Sequence, residues 1–566
     1  MQKSFRIAAA LLLASLATTT TADQDESDKP GKSREAKAAK EISPEQRAAA
    51  QADAMRDYLA RDMIFIAAPG IEAYLISIAE ALLATQESAP PTPKFLVQST
   101  DEFTVFTDNQ GNIVVGSGVL RQVESEDELA AALSHELAHV MARDADTKNL
   151  FKKVPYTVET AGLIAGAVDA RLSKTSLKPG QLTDFASDSL KATQSVGTFW
   201  SDLVAPTWNR QQEREADLVG VDMVRAANYD PAAFGSLFNR IDAAHTVRSE
   251  RVERVRQEAL KKIQARAPAA GPQSGASTSD QARDALKQMR LDAQAVAIQS
   301  LFDGLAGWGT EYDSPEERTT AVLAYVQETT AGRKDKTRRS PRFAAELREG
   351  DGGRLLAADG AALELLRAAS AGGPVPPDAD IAQRLGVMAN GDPLSPHLNY
   401  ALGTWLDAKR RPADAEQRAV TWMNSPLAPR TAYMWRASYQ VGRREFAAAL
   451  ETLDRGAATL GNRSLFLPDM VIMAKAGGDI PKAEKLATEC GRSSVKLSLA
   501  TLSRALQKET PAKASGTYGE CVAALGYDPI EKSRQAQSGS GDDSRLAQKT
   551  SEFNKKLAET FRKLGQ

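Results

Sequence analysis

Three short apolar runs between residues 95 and 115 predict the main β region of the chain. They are rich in aromatic and β-branched residues, which favour strands. The runs are Phe95–Val97, Phe103–Thr107 and Ile113–Val115. A polar stretch from Asp108 to Gly111 separates the last two runs and predicts a hairpin turn.

Helical spacing replaces the strand pattern after residue 124. Ser125 and Glu128 fit a capping box, which predicts that a helix starts at Ser125. The apolar residues that follow recur every three or four positions, as one buried helix face requires. They are Leu129, Leu133, Leu137 and Val140.

From about residue 385 the pattern repeats with a period of 34 residues. A small residue recurs at Ala415, Ala449 and Ala483, and an apolar residue follows four positions after each. A small residue lets two helices approach closely, and this period resembles that of the tetratricopeptide repeat, whose helix pairs stack into an α-solenoid. A helical bundle with accidental spacing is the alternative.

The first 22 residues have the pattern of a secretory signal peptide. Lys3 and Arg6 form a short basic start, and the apolar run Ile7–Ala17 is too short to span a bilayer. A buried N-terminal helix is the alternative explanation. A signal peptide at residues 1–22 would direct the chain to export.

Composition narrows the function classes. The 566-residue chain has a formal net charge of -2, so it has no basic excess for nucleic acid or anionic lipid. No second apolar run approaches the length of roughly 18 residues that a membrane helix needs, so we expect no transmembrane span in the mature chain. Scarce aromatic residues and abundant alanine favour helices.

The predicted helix carries the HExxH pattern as His135-Glu136-Leu137-Ala138-His139. Residues four apart on a helix are displaced by about 40° and about 6 Å, so both imidazoles can hold one metal ion. Glu136 is turned about 100° from His135, where it can reach a water molecule at the metal without ligating the metal, as a general base must. Two of the chain's 4 histidines lie in this motif, which disfavours an accidental pair.

A catalytic zinc ion also needs a third protein ligand and one open position. Glu213 is the best candidate for this ligand, and Asp217 follows four residues later on the same helix face. Asp217 can accept a hydrogen bond from a ligand imidazole, whereas Glu215 is expected to point away. Taken alone, such a carboxylate pair more often belongs to a solvated face.

Cys490 and Cys521 are the 2 cysteines of the chain. An oxidising compartment would allow a disulfide between them, and two buried thiols are the alternative.

Three motifs occur in order along the chain: Gly116-Ser117-Gly118-Val119-Leu120, Asp127-Glu128-Leu129 before the HExxH sequence, and Glu213-Arg214-Glu215-Ala216-Asp217. On these motifs the sequence resembles the zinc metallopeptidases that include the CAAX prenyl endopeptidase, HtpX and the periplasmic BepA-type proteases. The resemblance covers about residues 45–245 and implies a zincin-type fold. It implies Zn2+ held by His135, His139 and Glu213, with Glu136 as the catalytic base. An exported start and a C-terminal repeat region point to the BepA-like branch.

One departure concerns a His-Pro pair that the family often has, with an arginine six residues after the histidine. Tyr312 and Arg318 fit this spacing, with tyrosine in place of histidine. Residues 246–310 would then be an insertion, with a flexible linker at 265–279. The Tyr312 hydroxyl would donate to the oxyanion of the reaction, although a role in starting a helix at the following capping box is an equal alternative.

His245 and Arg251 also fit the spacing, but Thr246 stands in place of the proline. His245 is therefore a candidate regulatory residue, although the Tyr312 segment matches the family's His-Pro and arginine pattern more fully.

These patterns predict a mainly helical α+β fold: an HExxH zincin-type peptidase domain with a small β-sheet, then a TPR-like α-solenoid. The peptidase domain is expected to hold zinc without the repeats. The predicted segments are a signal peptide at 1–22, a flexible lead at 23–44, the peptidase domain at 45–330, a helical or linker region at 331–384, the repeats at 385–532, and a linker with a terminal helix at 533–566.

The leading functional hypothesis is an exported, periplasmic endopeptidase with one Zn2+ per chain, soluble or peripheral to the membrane. It would act on misfolded or unassembled envelope proteins, in quality control or outer-membrane protein assembly. An edge strand within residues 103–115 would hold the substrate as an added strand, and the repeats would dock clients or an assembly machine.

The alternative is a TPR-based chaperone or assembly-binding protein with a latent or regulatory zinc site. A zinc hydrolase that acts on non-peptide amides would rest on the HExxH pattern alone.

Overall fold

The structure is a computed structural model that describes the chain in separate stretches. The predicted signal peptide and the predicted linker at 265–279 lie outside these stretches. The described residues are 43–87, 90–108, 110–142, 210–264, 314–330, 340–370, 377–387, 391, 393–491, 521, 524–525 and 529–530.

The described residues form a small sheet and many helices, which confirms the mainly helical α+β fold. The strands are β1 (Phe65–Ile66), β2 (Lys94–Gln98), β3 (Val105–Thr107) and β4 (Asn112–Gly116). The helices up to residue 330 are α1 (Pro44–Ala60), α2 (Pro69–Leu83), α3 (Ser117–Gln122), α4 (Glu126–Ala142), α5 (Arg210–Ala226), α6 (Ala233–Gln264) and α7 (Pro315–Thr330).

The later helices start with α8 (Pro341–Ala344), which continues as a π-helical turn (Ala345–Glu349). The next helices are α9 (Asp351–Ser370), α10 (Asp378–Arg384), α11 (Leu398–Ala408), α12 (Pro412–Met423), α13 (Arg430–Gly442), α14 (Phe446–Leu460) and α15 (Leu467–Ala476). Residues 480–491 form a further helix. None of the helices in the described stretches combines the length and the apolar character that crossing a membrane requires.

The four strands have the order β1-β2-β4-β3. β4 pairs with β2 in parallel and with β3 antiparallel, which confirms the predicted hairpin. β3 therefore lies at one edge of the described sheet. Nothing in the sequence pattern indicates β1, because two residues carry no periodic signal.

Side chains of the central strands alternate between two cores, as the period of a β-strand requires. Phe95 and Val97 of β2 belong to one core, together with apolar residues of α2, α4 and α5. Ile113 and Val115 of β4 point to the same core. This core supports the back of α4 and fixes its position against the sheet.

The opposite face of the sheet shares its core with the C-terminal helices. Leu96, Phe106 and Val114 belong to one buried cluster with Tyr58 of α1 and Trp422 of α12. This shared cluster argues against the expectation that the peptidase domain needs no repeats, because removing the C-terminal helices would take away part of the cluster.

The 34-residue period of the sequence corresponds to buried positions in three helices. Ala415, Ala449 and Ala483 are each 0% exposed. They lie near the starts of α12, α14 and the helix at 480–491. The period therefore marks helix packing, whereas the assignment to the tetratricopeptide family stays a prediction.

A disulfide joins Cys490 to Cys521, with 6.5 Å between the Cα atoms. Both residues belong to the core shared with the sheet. The structure therefore has the disulfide and not two buried thiols.

Helix α6 passes through residue 246 without a break, so the predicted start of the insertion lies inside a helix.

Candidate metal centre

Helix α4 carries the HExxH residues His135, Glu136 and His139. It starts where the capping box predicts, since the backbone N–H of Glu128 donates to the Ser125 hydroxyl at 3.1 Å. A satisfied first turn fixes where the helix begins and therefore which side chains face the site.

Acidic residues of the first turn anchor α4 to neighbouring elements. The Glu126 carboxylate accepts hydrogen bonds from the hydroxyls of Tyr74 at 2.7 Å and Tyr229 at 3.1 Å. Asp127 accepts the backbone N–H of Asp230 at 2.9 Å. These bonds fix α4 relative to α2 and to the turn that follows α5.

Helix α5 lies against α4 and brings two buried carboxylates, Glu213 and Asp217, to the same site. The close approach depends on Gly220. A β-carbon at this position would lie 3.0 Å from Ser134 Oγ and 3.2 Å from the backbone nitrogen of His135. Both distances are tighter than ordinary packing, so the missing side chain lets the two helices meet beside the site.

Three potential ligand groups converge at this point. Nε2 of His135 lies 3.2 Å from Nε2 of His139 and 3.5 Å from Oε2 of Glu213. Nε2 of His139 lies 3.7 Å from Oε1 of Glu213. Ligand atoms about 2.0–2.1 Å from a tetrahedral zinc ion lie roughly 3.3 Å from one another, so these spacings suit one ion.

A hydrogen-bonded layer supports these three groups. His135 Nδ1–H donates to Asp217 Oδ1 at 2.8 Å. Arg318 on α7 donates to both oxygens of Asp217, at 2.9 and 2.7 Å, and lies 3.4 Å from Glu213. Its guanidinium also stacks on Phe238, 4.7 Å from the ring centroid. Arg318 therefore fixes both carboxylates of α5 in one orientation.

The electrostatics of the site separate the two histidines. Burial lowers the pKa of His135, but its hydrogen bonds to Asp217 and Glu213 outweigh burial and raise the pKa to about 10. Burial and the charge of His135 lower the pKa of His139 to about 3. Although burial raises the pKa of Glu213, the hydrogen bond and charge of His135 bring it below its usual value.

Glu136 differs from its neighbours because one of its carboxylate oxygens has no partner. Oε2 is buried and accepts no hydrogen bond. Burial raises the pKa of Glu136 to about 8, although the charge of His135 and a hydrogen bond from the Thr107 backbone oppose this shift. The carboxylate therefore lies between the His-His-Glu cluster and the edge strand β3.

The register of β3 explains why Thr107 reaches this carboxylate. The N–H groups of Asp108 and Gly116 donate to the carbonyls of Asn112 and Thr104 across the β3–β4 pair. Partners alternate along an antiparallel pair, so the backbone groups of the intervening Thr107 point away from β4. The open side of β3 therefore faces the predicted catalytic base.

The structure brings together the residues that the sequence proposes as ligands, base and supporting carboxylate. Glu215 is exposed, in accord with its expected direction. Tyr312 lies outside the described residues. His245 lies within α6, but its side chain is not among those that the structure describes. In the sequence, Arg318 stands out only because it lies six residues after Tyr312. This spacing does not predict its contacts with Asp217 and Glu213.

The donor set fits a zinc ion on two observations. Two imidazole nitrogens and one carboxylate oxygen can lie within 4.8 Å of one another. The orphaned Oε2 of Glu136 beside them is a buried acceptor that a water molecule would satisfy. Three protein ligands with a polar group next to an open position are the arrangement of catalytic rather than structural zinc.

Comparisons with known proteins agree with this site. Residues 70–259 match the profile of peptidase family M48. The beta-barrel assembly-enhancing protease of Yersinia pestis is 24% identical over 193 residues, which cover 33% of this chain and 37% of the relative. The Escherichia coli K12 protein of the same name is 24% identical over 196 residues, with the same coverage of 33% and 37%.

A further relative is the mitochondrial metalloendopeptidase OMA1 of Schizosaccharomyces pombe. It is 31% identical over 134 residues, which cover 24% of this chain and 33% of the relative. The chain thus spans little more than a third of the length of these curated relatives. The family match includes α4 and α5 but not Arg318.

Proposed function

Because residues 70–259 match peptidase family M48, we propose that the chain is an exported zinc-dependent endopeptidase. In this proposal His135, His139 and Glu213 hold one zinc ion, Asp217 orients His135, and Glu136 is the general base. A bound zinc ion would supply Lewis-acid activation of water and of the scissile carbonyl.

The position of Glu136 is the observation that supports this proposal most. Its unpartnered Oε2 lies beside the His-His-Glu cluster, and the backbone of Thr107 contacts the same carboxylate. The charge of His135 opposes the effect of burial on the pKa of this carboxylate and so favours the ionised form that a base requires. Glu136 would take a proton from the attacking water and give it to the amine that leaves when the C–N bond breaks.

The edge strand supports a peptide as the substrate. The backbone groups of Thr107 point to the open side of β3, where its N–H contacts Glu136 and the rest of the edge could pair with an extended segment. Such binding uses main-chain hydrogen bonds and therefore favours unfolded or extended clients over folded ones. Residues with a free main chain are typical of misfolded or unassembled proteins.

The sequence and the relatives support a proposal for the cellular role. Residues 1–22 have the signal-peptide pattern, and two relatives are named for enhancing β-barrel assembly. We therefore propose that the chain acts in the periplasm, in envelope protein quality control or outer-membrane protein assembly. The C-terminal helices would dock clients or an assembly partner.

The experiment uses the purified mature chain with an unfolded outer-membrane β-barrel protein as client. Zinc-loaded protein should cleave the unfolded client, a chelator should stop cleavage, and added zinc should restore it. The same client in its folded form is the control. Binding of the unfolded client without cleavage at full zinc occupancy would contradict the proposal and favour the chaperone alternative.

Export has its own test. The N-terminal sequence of the protein isolated from the cell envelope should begin near residue 23. An intact Met1 on that protein would contradict removal of a signal peptide.

A further inference from the structure

One side chain of α1 contacts the edge strand on both sides of Thr107. The ring of Tyr58 packs edge-on against Phe106, with 6.3 Å between the centroids. Its hydroxyl donates to Asp108 Oδ2 at 2.8 Å. Tyr58 is 1% exposed, so this contact is part of the protein interior.

The Asp108 carboxylate also organises the hairpin that carries β3. Its Oδ1 accepts the backbone N–H groups of Gln110 and Asn112, both at 2.8 Å. Its Oδ2 accepts the Asn112 side-chain amide at 2.6 Å. The hydroxyl of Tyr58 therefore fixes the residue that sets the position of the whole turn.

The same end of α1 is bound by the C-terminal helices. Asp62 ends the helix in the left-handed conformation, with φ of 65°. Its Oδ1 accepts the backbone N–H of Thr431 at 2.5 Å and the Thr431 hydroxyl at 2.7 Å. Its Oδ2 accepts Arg430 Nε at 3.1 Å.

Arg430 extends this contact from α13 to α15. Its Nη1 donates to the carbonyl of Leu465 at 3.0 Å and lies 3.3 Å from Asp469 Oδ2. Asp62 is 5% exposed and Arg430 is 6% exposed, so the bonds are shielded from water. A displacement of α13 or α15 would therefore move Asp62.

Tyr58 and Asp62 are joined by one helical turn and its cap. The N–H of Met63 donates to the carbonyl of Tyr58 at 3.1 Å, and the N–H of Asp62 donates to that of Leu59 at 3.1 Å. These two bonds form a Schellman cap, which holds the helix end rigid. One turn of helix spans about 5 Å and transmits a shift with little loss.

We propose that α1 mechanically couples the C-terminal helices to the peptide-binding edge strand, with Tyr58 and Asp62 as positioning residues. The coupling rests on the proposed function, because β3 matters to catalysis only if it binds the substrate. A partner or client that binds α13–α15 would change the position of Thr107 beside Glu136. The binding region thereby adjusts the peptidase site without contact with the metal.

The test compares Tyr58→Phe, Asp62→Asn and Thr431→Val in the full chain. Asparagine tolerates the left-handed conformation, so Asp62→Asn keeps the backbone but removes the charge and one of the two accepting oxygens. Thr431→Val removes one hydroxyl and serves if Asp62→Asn fails to fold. The readouts are hydrogen exchange of residues 103–116, zinc content, and KM and kcat for an extended peptide.

Each variant should speed hydrogen exchange of residues 103–116 by about tenfold, as expected for a lost charge-assisted bond. KM for the extended peptide should rise several-fold, while kcat changes less and zinc content stays at the wild-type value. Two matched controls are Tyr439→Phe, which removes a hydroxyl bonded to Asp407, and Arg463→Gln, which removes the ion pairs to Asp454 and Glu489. Both controls should leave exchange of residues 103–116 unchanged.

Wild-type exchange and KM in Tyr58→Phe, with only a lower melting temperature, would overturn the coupling. The same holds if the two controls raise exchange at β3 as strongly as Asp62→Asn and Thr431→Val do. If the wild-type chain cleaves no peptide, the proposed function fails, but the exchange data still decide whether α1 connects the two regions.

Discussion

Nδ1–H of His135 donates to Oδ1 of Asp217 across 2.8 Å, and this bond directs Nε2 of the same ring toward Glu213. Asp217 thereby holds the proton on Nδ1 and leaves Nε2 as the nitrogen that would ligate a metal ion. Arg318 in turn fixes Asp217 through two hydrogen bonds. The ligand geometry therefore depends on a residue that does not touch the ion.

Asp217→Asn should lower zinc affinity by roughly 10–100-fold, the range for lost support of a ligand histidine. The amide is a weaker acceptor for the His135 imidazole and leaves Arg318 without its paired carboxylate. Competition with a chromogenic chelator measures the affinity. Glu215→Gln is the control, because this exposed neighbour should leave affinity unchanged; equal affinities in the two variants would contradict the supporting role of Asp217.

Gly220→Ala should push α4 and α5 apart. The added methyl group would meet Phe234 and Ser134 at 3.0 Å. Overpacking of this kind costs about 1–3 kcal/mol of the free energy of unfolding, and zinc affinity should fall with it. Thermal unfolding and zinc titration measure both effects.

The matched control for that variant is Gly235→Ala in α6, where no atom lies within 4 Å of the added β-carbon. This change should stabilise the helix by up to about 1 kcal/mol, because alanine favours helices over glycine. Two substitutions of the same type should thus have opposite signs. Zinc affinity at the wild-type level in Gly220→Ala would show that close helix contact is not required.

Deletion of residues 385–566 should destabilise the peptidase region. The buried cluster that includes Leu96, Phe106 and Val114 would lose its members from α12–α15. We expect the truncated chain to aggregate or to bind a dye for exposed apolar surface, and to hold less zinc. Soluble truncated protein with full zinc and peptidase activity would instead support two independent cores.

The buried carboxylate of Asp359 makes the free energy of unfolding depend on pH. Burial by itself raises the pKa of its carboxyl, but hydrogen bonds from His397 and Ser117 and the charge of Arg121 outweigh burial and lower it. A carboxyl whose pKa is lower in the folded state stabilises the protein above its unfolded pKa of about 3.9. This contribution is lost as the pH falls through the folded-state pKa.

Asp359→Asn should therefore cost on the order of 3 kcal/mol at pH 7, since it breaks a buried charge network. The difference from the wild type should shrink below about pH 4. Urea unfolding at a series of pH values measures it. A constant difference from pH 7 to pH 3 would show that the ionised form of Asp359 contributes nothing.

Local patterns predicted the parts of the site that one helix contains. Helical spacing and the capping box placed His135 and His139 on one face, and the structure has the same arrangement. Glu213 lies 74 residues beyond His139, so its role needed the resemblance to a family. The spacing of residues along a chain cannot show which distant helix packs against the motif.

Contacts between distant segments could not be predicted. Arg318 pairs with Asp217 across 101 residues, and Ser99 bonds Asp359 across 260. Such pairs depend on how whole elements pack, and neither partner has a distinctive local sequence. The shared core of sheet and C-terminal helices was missed for the same reason, because Leu96 and Trp422 are ordinary apolar positions in their own elements.

The most direct measurement is zinc content and hydrolysis of an unstructured peptide, determined together for the wild type, Glu136→Gln and His135→Ala. The assigned roles predict one zinc ion per chain and hydrolysis in the wild type. Glu136→Gln should keep the zinc ion and lose hydrolysis by at least about 100-fold, because a general base contributes on the order of 10²–10⁴ to the rate. His135→Ala should lose both. Wild-type hydrolysis by Glu136→Gln, or stoichiometric zinc in His135→Ala, would contradict the metallopeptidase site.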